Sequence, residues 1–254
     1  MSKAIIMAMH LYTPFGKEFY QLILDFQLRN LEKYKDEFDR LYLIDSNWDI
    51  IDVPEWVTVL KVNPHLRYYD AYKEVLPQIK EDLVLFMDND MIIYRENIIS
   101  HTFDLLSSYY DVVSIIDTIG TMKVPLKLGN KFCPYFFAAK KELLMKYLDV
   151  DWSPDAMPYT ETFGLLTEAM LKDGLKAYEM EDDKTDNVEK NLGYYHIRAG
   201  STPAWLLATK HYGNIDTYWE YLKNQPHSEL LRQCYWYTRM GGDPTEIEED
   251  SKNA

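Results

Sequence analysis

The sequence predicts an α/β fold: a mostly parallel sheet flanked by helices, continued by a helical carboxyl-terminal extension. Three observations predict it. Over the first 100 residues, apolar runs of strand length alternate with segments whose apolar residues recur at helical spacing. Several of those runs end in polar or acidic residues, as strands do where an α/β sheet presents its ligand-binding edge. Beyond about residue 205 the chain becomes aromatic, and its apolar residues again follow a helical period.

Each element follows in order. Residues 3–9, KAIIMAM, form a short apolar run that reads as a buried strand, closed by the turn HLYTPFG. In EFYQLILDFQLRNLEKYKDEF the residues Phe19, Leu22, Ile23, Phe26, Leu28 and Leu31 fall at helical spacing. RLYLIDSNWD is a second strand ending in acid, VTVLKVN a third closed by Pro64, and residues 69–80 a helix. DLVLFMDNDMIIY is the fourth strand. DVVSII is a further strand, residues 120–132 a Lys- and Gly-containing loop, and PYFFAAKKELLMKYL a strand running into a helix. ETFGLLTEAMLKDG is a helix stopped by Gly174, and LKAYEME is a short strand. Residues 1–205 therefore form one domain, 206–240 a helical extension packed on it, and 241–254 a disordered tail.

Composition narrows the function. The 254 residues are 47% apolar and 27% charged, which excludes wholesale disorder. A net charge of −14 argues against non-specific nucleic-acid binding, whose affinity comes from neutralised phosphates. No apolar run approaches the roughly 18–20 residues of a membrane span, and the amino end lacks a signal-peptide core. The expected location is the cytoplasm, where Cys133 and Cys234 would stay reduced, as two buried thiols. The 21 tyrosines and 6 tryptophans suit sugar faces and interfaces, and equally suit a core. The aromatic carboxyl-terminal segment also offers a face for a homodimer.

The chemistry concentrates at the fourth strand. Leu83 to Phe86 lead directly into Met87-Asp88-Asn89-Asp90. Carboxylates at i and i+2 of an extended chain point the same way. Like charges held on one face repel unless a cation sits with them, and hard divalent cations prefer such oxygen ligands. An ordinary solvated turn after a strand has the same composition. The immediate return to apolar Met91-Ile-Ile-Tyr94 favours the metal reading over that one.

On these residues the sequence resembles the nucleotide-sugar-dependent glycosyltransferases of the GT-A fold, a Rossmann-like nucleotide-binding architecture. The likeness covers roughly residues 3–205 and rests on FMDND at 86–90 as the DxD motif, LIDSN at 43–47, and His196 near the end of the domain. It implies that Asp88, Asp90 and His196 hold Mn²⁺ or Mg²⁺, with Asn89 in the variable middle position. Two carboxylates and an imidazole suit Mn²⁺ better than Ca²⁺. The segment from His196 to Trp205 resembles the family element that closes over the diphosphate. Here Thr202 stands where a Lys often precedes Pro203, and Arg198 offers a replacement charge. The resemblance further assigns the nucleotide to His10, Tyr12, Thr13, Asp45, Ser46, Arg67 and Asp70.

The expected reaction is transfer of a hexosyl or pentosyl group from a UDP- or GDP-sugar to a hydroxyl acceptor. An inverting enzyme needs a carboxylate to remove the acceptor proton. The resemblance points to Glu161 for that role, with Asp155 second, although Glu161 also reads as a helix-start residue. Lys123, Lys127 and Lys131 are candidates to assist the leaving group. Tyr135, Phe136, Phe137 and Trp152 read either as an acceptor wall or as core. Two other classes compete. A nucleotidyltransferase of sugar phosphates would be favoured by a Gly-rich basic loop after the first strand, where this chain has HLYTPFG. A non-catalytic carbohydrate-binding protein would not need Asp88, Asp90 and His196 together.

Overall fold

The computed structural model describes residues 1–9, 24, 27–46, 50, 53–64, 66–89, 91–93, 96–118, 130–153, 163–180 and the backbone of 194–196. In chain order the first elements are β1 (Lys3–Met9), α1 (27–32), β2 (Arg40–Asp45), β3 (Val57–Lys61), α2 (Tyr68–Val75), β4 (Leu83–Met87) and β5 (Met91–Ile93). Then come α3 (Ile98–Ser108), β6 (Val112–Thr118), β7 (Asn130–Lys140), α4 (Lys141–Met145), α5 (Gly164–Lys172), β8 (Ala177–Met180) and β9 (Tyr194–His196). The chain divides into two compact units. The first comprises Met1–His10, Lys35–Asp88 and Asn97–Asp182; the second comprises Leu11–Tyr34, Asn89–Glu96 and Asp183–Ala254.

The first unit is built on a seven-stranded sheet in the order β3-β2-β1-β4-β7-β6-β8. All neighbouring pairs are parallel except those of β7, which runs antiparallel to both β4 and β6. This is the mostly parallel, helix-flanked α/β sheet that the sequence predicts. β1 lies between β2 and β4, and Ile5, Ile6 and Met7 are fully buried. Strands covered on both faces read as unbroken apolar runs, which is why β1, β2 and β4 stand out in the sequence. Two carboxylates fasten the start of β1. Asp39 accepts the Lys3 N–H at 2.7 Å, and Asp82 accepts the Ser2 N–H at 2.9 Å. The Ser2 backbone N–H holds the Asp82 carboxyl below its ordinary range.

An aromatic core packs on this sheet. The Phe86 ring lies 4.6 Å from Tyr72, 6.0 Å from Phe137, 6.3 Å from Trp152 and 6.4 Å from Phe163, centroid to centroid. Phe163 is fully buried in the left-handed region (φ 67°), and its N–H donates to the Trp152 carbonyl at 3.1 Å. α5 ends as expected at Gly174. Its φ of 77° needs no Cβ, and the Gly174 and Leu175 N–H groups close on the Leu171 and Met170 carbonyls. α3 is capped from a distance. Asn97 supplies no side-chain cap, so Glu37 accepts the Asn97 and Ser100 N–H groups at 2.8 and 2.9 Å.

Three elements differ from the sequence reading. The stretch read as one fourth strand is two, since β4 ends at Met87 and β5 belongs to a separate two-stranded sheet with β9. Asp88 and Asn89 are the cause: such residues disfavour strands and favour turns. β7 begins at Asn130, inside the segment read as loop. The helix α3 was not read at all, because Ser, His and Thr dilute its apolar spacing of Ile98, Ile99, Phe103 and Leu106. The helix read at 69–80 is α2 followed by a 3-10 turn at Leu76–Gln78, where Pro77 cannot continue the α-helical bonding. The extension at 206–240 and the tail at 241–254 lie outside the described residues. No helix among the described residues is long and apolar enough to cross a membrane.

Candidate nucleotide and metal site

In the first unit the parallel strands β1, β2 and β4 bring Met9, Asp45 and Met87 to their carboxyl ends, with Met9 in register with Asp45. Asp45 is 3% exposed. Its carboxylate accepts the Ile50 N–H at 2.9 Å, and its main-chain carbonyl accepts the Val62 N–H at 3.0 Å. Ser46 is buried, and its hydroxyl donates to the Met9 carbonyl at 3.3 Å. Asp45 and Ser46 thus tie the end of β2 to its own loop and to β1.

Asp88 continues the β4–β7 ladder by one residue, donating its N–H to the Tyr135 carbonyl at 3.1 Å, and its side chain is half-buried. Arg67 precedes the first turn of α2 with extended backbone, and its guanidinium donates to the Tyr69 hydroxyl at 2.7 Å. Asp70 lies in that first turn, where a negative charge complements the helix dipole.

One buried group here has no partner among the described residues. Tyr72 of α2 is fully buried, and its hydroxyl makes no hydrogen bond to any of them. Burial pushes the phenol well above its ordinary pKa, and electrostatic interaction with Asp88 and then with Tyr68 pushes it the same way. The Ala8 backbone opposes this as the smallest influence, without reaching hydrogen-bond geometry. Tyr72 therefore stays a neutral donor, within the field of Asp88. The sequence signal for it was a Tyr repeated at i and i+4 (Tyr68, Tyr72) on a helix leading to the acidic strand.

In the second unit, β5 pairs antiparallel with β9 in the register Met91↔His196, Ile92↔Tyr195, Ile93↔Tyr194. Two fully buried amides of α1 hold β5. Gln27 donates to the Met91 carbonyl at 2.6 Å. Asn30 donates to the Ile93 carbonyl at 2.7 Å and accepts the Ile93 N–H at 2.9 Å. The sequence reading missed both residues; the available signal was amides among the apolar positions of a helix. Asn89 is buried, at 7% exposure.

The remaining sequence candidates fall as follows. His10, Tyr12, Thr13, Asp90, Lys123, Lys127, Asp155, Glu161 and Arg198 lie outside the described residues. His196 is described by its backbone alone, as is Lys131. Among the described residues no group of three or more His, Cys, Asp or Glu gathers to hold a metal. Phe136, Phe137 and Trp152 belong to the core rather than to an acceptor wall, at no more than 1% exposure each. Cys133 is a buried free thiol, and Cys234 lies outside the described residues.

No family model matches the chain, and no curated protein matches it. Solved structures do. The 4-diphosphocytidyl-2C-methyl-D-erythritol synthase of Anaerococcus prevotii is 13% identical with a TM-score of 0.53, covering 83% of this chain and 96% of its own. The 2-C-methyl-D-erythritol 4-phosphate cytidylyltransferase of Francisella tularensis is 16% identical with a TM-score of 0.51, over 83% and 99%. A glucose-1-phosphate thymidylyltransferase assigned in Bacillus anthracis is 11% identical with a TM-score of 0.51, over 84% and 96%. Against the bifunctional IspDF of Campylobacter jejuni, at 16% identity and a TM-score of 0.50, the match spans 55% of that longer chain. At these identities the likeness is one of fold: this chain shares the α/β architecture of these nucleotide-handling transferases.

Proposed function

We propose that this protein is a divalent-metal-dependent glycosyltransferase that moves a sugar from a UDP- or GDP-sugar to a hydroxyl acceptor. The observation that carries the reading is the register of β5 with β9, in which His196 stands opposite Met91, the residue that follows Asp90 in the chain. That pairing of the His196 strand with the strand following Asp90 supports a site of carboxylate and imidazole, the residue types that a hard-to-borderline cation takes. Asp88, Asp90 and His196 would hold Mn²⁺ or Mg²⁺, which supplies Lewis-acid neutralisation of charge on a departing diphosphate. The unpaired Tyr72 hydroxyl near Asp88 is a further donor available to an anionic or hydroxylated ligand. Asp45, Ser46, Arg67 and Asp70 would form the nucleotide side, with Glu161 or Asp155 as the base toward the acceptor.

A nucleotidyltransferase is the second reading. What favours it is two solved structures with TM-scores of 0.51, whose names are those of a cytidylyltransferase and a thymidylyltransferase. The turn after β1 carries one Gly and no basic residue before Lys17, which favours the first reading. The two differ in product. Incubation with a panel of UDP- and GDP-sugars plus Mn²⁺ is expected to release nucleoside diphosphate, and Asp90→Asn to abolish that release with the melting curve retained. Release of pyrophosphate from a nucleoside triphosphate and a sugar 1-phosphate would establish the second reading instead. No turnover with any donor, and no metal-dependent melting shift with UDP or GDP, would leave only a binding protein.

A further inference from the structure

β6 and β7 pair unevenly. Ser114 stands opposite Phe137 and Ile116 opposite Phe132, so the four residues Cys133 to Phe136 of β7 face Ile115 alone on β6. A bulge of this size needs partners for the backbone groups it takes out of the ladder. Two buried hydroxyls supply them. Ser114 Oγ accepts the Cys133 N–H at 3.1 Å, and Thr167 Oγ1 accepts the Phe132 N–H at 3.1 Å. The Ser114 hydroxyl donates in turn to the Ile115 carbonyl at 2.7 Å. Pro134, inside the bulge, has no N–H to satisfy. A regular ladder would need neither hydroxyl. The bulge is therefore a built feature, of the kind that re-aims side chains beside active sites.

While β7 leaves β6 here, it stays on β4. Met87 pairs with Phe136, and the Asp88 N–H donates to the Tyr135 carbonyl at 3.1 Å. Opposed residues of an antiparallel pair lie on one face, and faces alternate along each strand. Phe86 and its partner Phe137 stack at 6.0 Å, on the face that also receives Tyr72 and Phe163. Asp88 lies two residues beyond Phe86 and Tyr135 two before Phe137, so the two share that face. Phe136 and Phe137 are fully buried, whereas Tyr135 and Asp88 are half-buried. Of this aromatic run, Tyr135 alone keeps surface, beside the carboxylate that follows β4.

Sheet order decides which part of a ligand lies there. Neighbouring strands are about 4.8 Å apart, so roughly 14 Å separates β2 from β7 across β1 and β4. With the nucleotide at Asp45, Ser46, Arg67 and Asp70, as proposed above, Tyr135 falls toward the far end of the ligand, where a nucleotide sugar carries its sugar. An aromatic ring beside a carboxylate suits a sugar: the ring covers its apolar C–H face, and the carboxylate accepts from its hydroxyls.

We infer that Tyr135 is a sugar-contacting, specificity-determining residue: the β7 bulge, held by Ser114 and Thr167, sets its ring beside Asp88 as a platform for the transferred sugar. The inference rests on the nucleotide-sugar reading above. Its test titrates the full chain calorimetrically, in Mn²⁺ buffer, with UDP, GDP, UDP-glucose, UDP-galactose and GDP-mannose. Wild type, Tyr135→Phe and Tyr135→Ala are compared, with a thermal melt of each. For the sugar nucleotide that wild type prefers, Tyr135→Ala is expected to raise the dissociation constant about 10-fold, the scale of one lost stacking contact. Its affinity for the matching UDP or GDP should stay within about 2-fold, and Tyr135→Phe, which keeps the ring, should bind both as wild type does. Fluorotyrosine labelling of wild type needs no stable alanine variant. The fluorine resonance absent from Tyr135→Phe should shift with the sugar nucleotide and hold still with UDP or GDP.

If sugar nucleotides bind while the Tyr135 resonance and the Tyr135→Ala affinity stay unchanged, the inference is refuted and the nucleotide-sugar reading stands. Equal losses for the sugar nucleotide and its nucleoside diphosphate would set the ring against the nucleotide, which refutes the inference as well. If wild type binds no sugar nucleotide, the reading itself fails, and the inference with it. Should Tyr135→Ala fail to fold, the resonance decides alone.

Discussion

Replacing Tyr72 by Phe is expected to stabilise the ligand-free protein. The substitution removes one oxygen and leaves the ring, whose centroid lies 4.6 Å from Phe86 and 6.0 Å from Tyr68. That oxygen is fully buried and makes no hydrogen bond among the described residues. A buried polar group without a partner costs about 1–3 kcal/mol in desolvation, and Phe removes that penalty without opening a cavity. For a chain of this size, about 2–4 °C accompanies each kcal/mol, so the midpoint should rise by roughly 2–12 °C. The pH dependence gives a second signature. The Tyr72 phenol is raised above its ordinary 10.0 in the fold, so above pH 10 the unfolded chain releases a proton that the folded chain keeps. Stability from this group is therefore whole below pH 10 and declines as pH rises beyond it, and the Phe variant should lack that decline. Urea denaturation of both proteins between pH 7 and 10.5, without ligand, measures both effects. A variant less stable than wild type by more than about 0.5 kcal/mol would mean that the hydroxyl is well bonded, and the reasoning would fail.

Other expectations follow from single contacts. Thr167 accepts the Phe132 N–H at 3.1 Å and donates to the Phe163 carbonyl at 2.7 Å; Thr167→Val should cost about 1–3 kcal/mol in urea titration by orphaning that buried N–H. Glu37→Gln should cost about 1 kcal/mol, because an amide cannot accept both α3 N–H groups, and exchange at Ser100 should quicken in hydrogen–deuterium measurements. The Tyr147 hydroxyl donates to Asp173 at 2.8 Å, and burial, followed by Asp173, raises its pKa from 10.0 to about 12. Its contribution to stability is whole below pH 10 and lost between 10 and about 12, so the gap between wild type and Tyr147→Phe should close over that window in pH-dependent melts.

The parts of the fold legible in the sequence are those where burial on both faces leaves nothing but apolar residues. β1, β2 and β4 announce themselves this way, and Gly174 marks the end of α5 because only its backbone freedom suits that turn. Strand direction was not legible. Nothing in FCPYFFAAK tells a parallel from an antiparallel neighbour, and β7 lies buried between β4 and β6 either way. The break between β4 and β5 was written in Asp88 and Asn89 but masked by the apolar residues on both sides. Of the candidate site, the acidic turn and the polar ends of β1 and β2 were visible because carboxylates and hydroxyls stand out against apolar runs. Tyr72, Gln27 and Asn30 were not, since Tyr reads as core and an amide inside a helix reads as solvent-facing. Their importance lies in atoms left unpaired or bonded across 63 and 64 positions of chain, which periodicity cannot reveal.

The placement of β1 sets a timetable for biosynthesis. β1 is an inner strand made before both of its neighbours, and the partner on its second flank, β4, is not complete until residue 87. At roughly 5–20 residues per second, some 4–16 seconds pass with one edge of an apolar heptapeptide open to any passing chain. A nascent chain of this protein is thus an expected client of holding chaperones, and slowing its translation before β4 should lower the soluble yield more than slowing it afterwards.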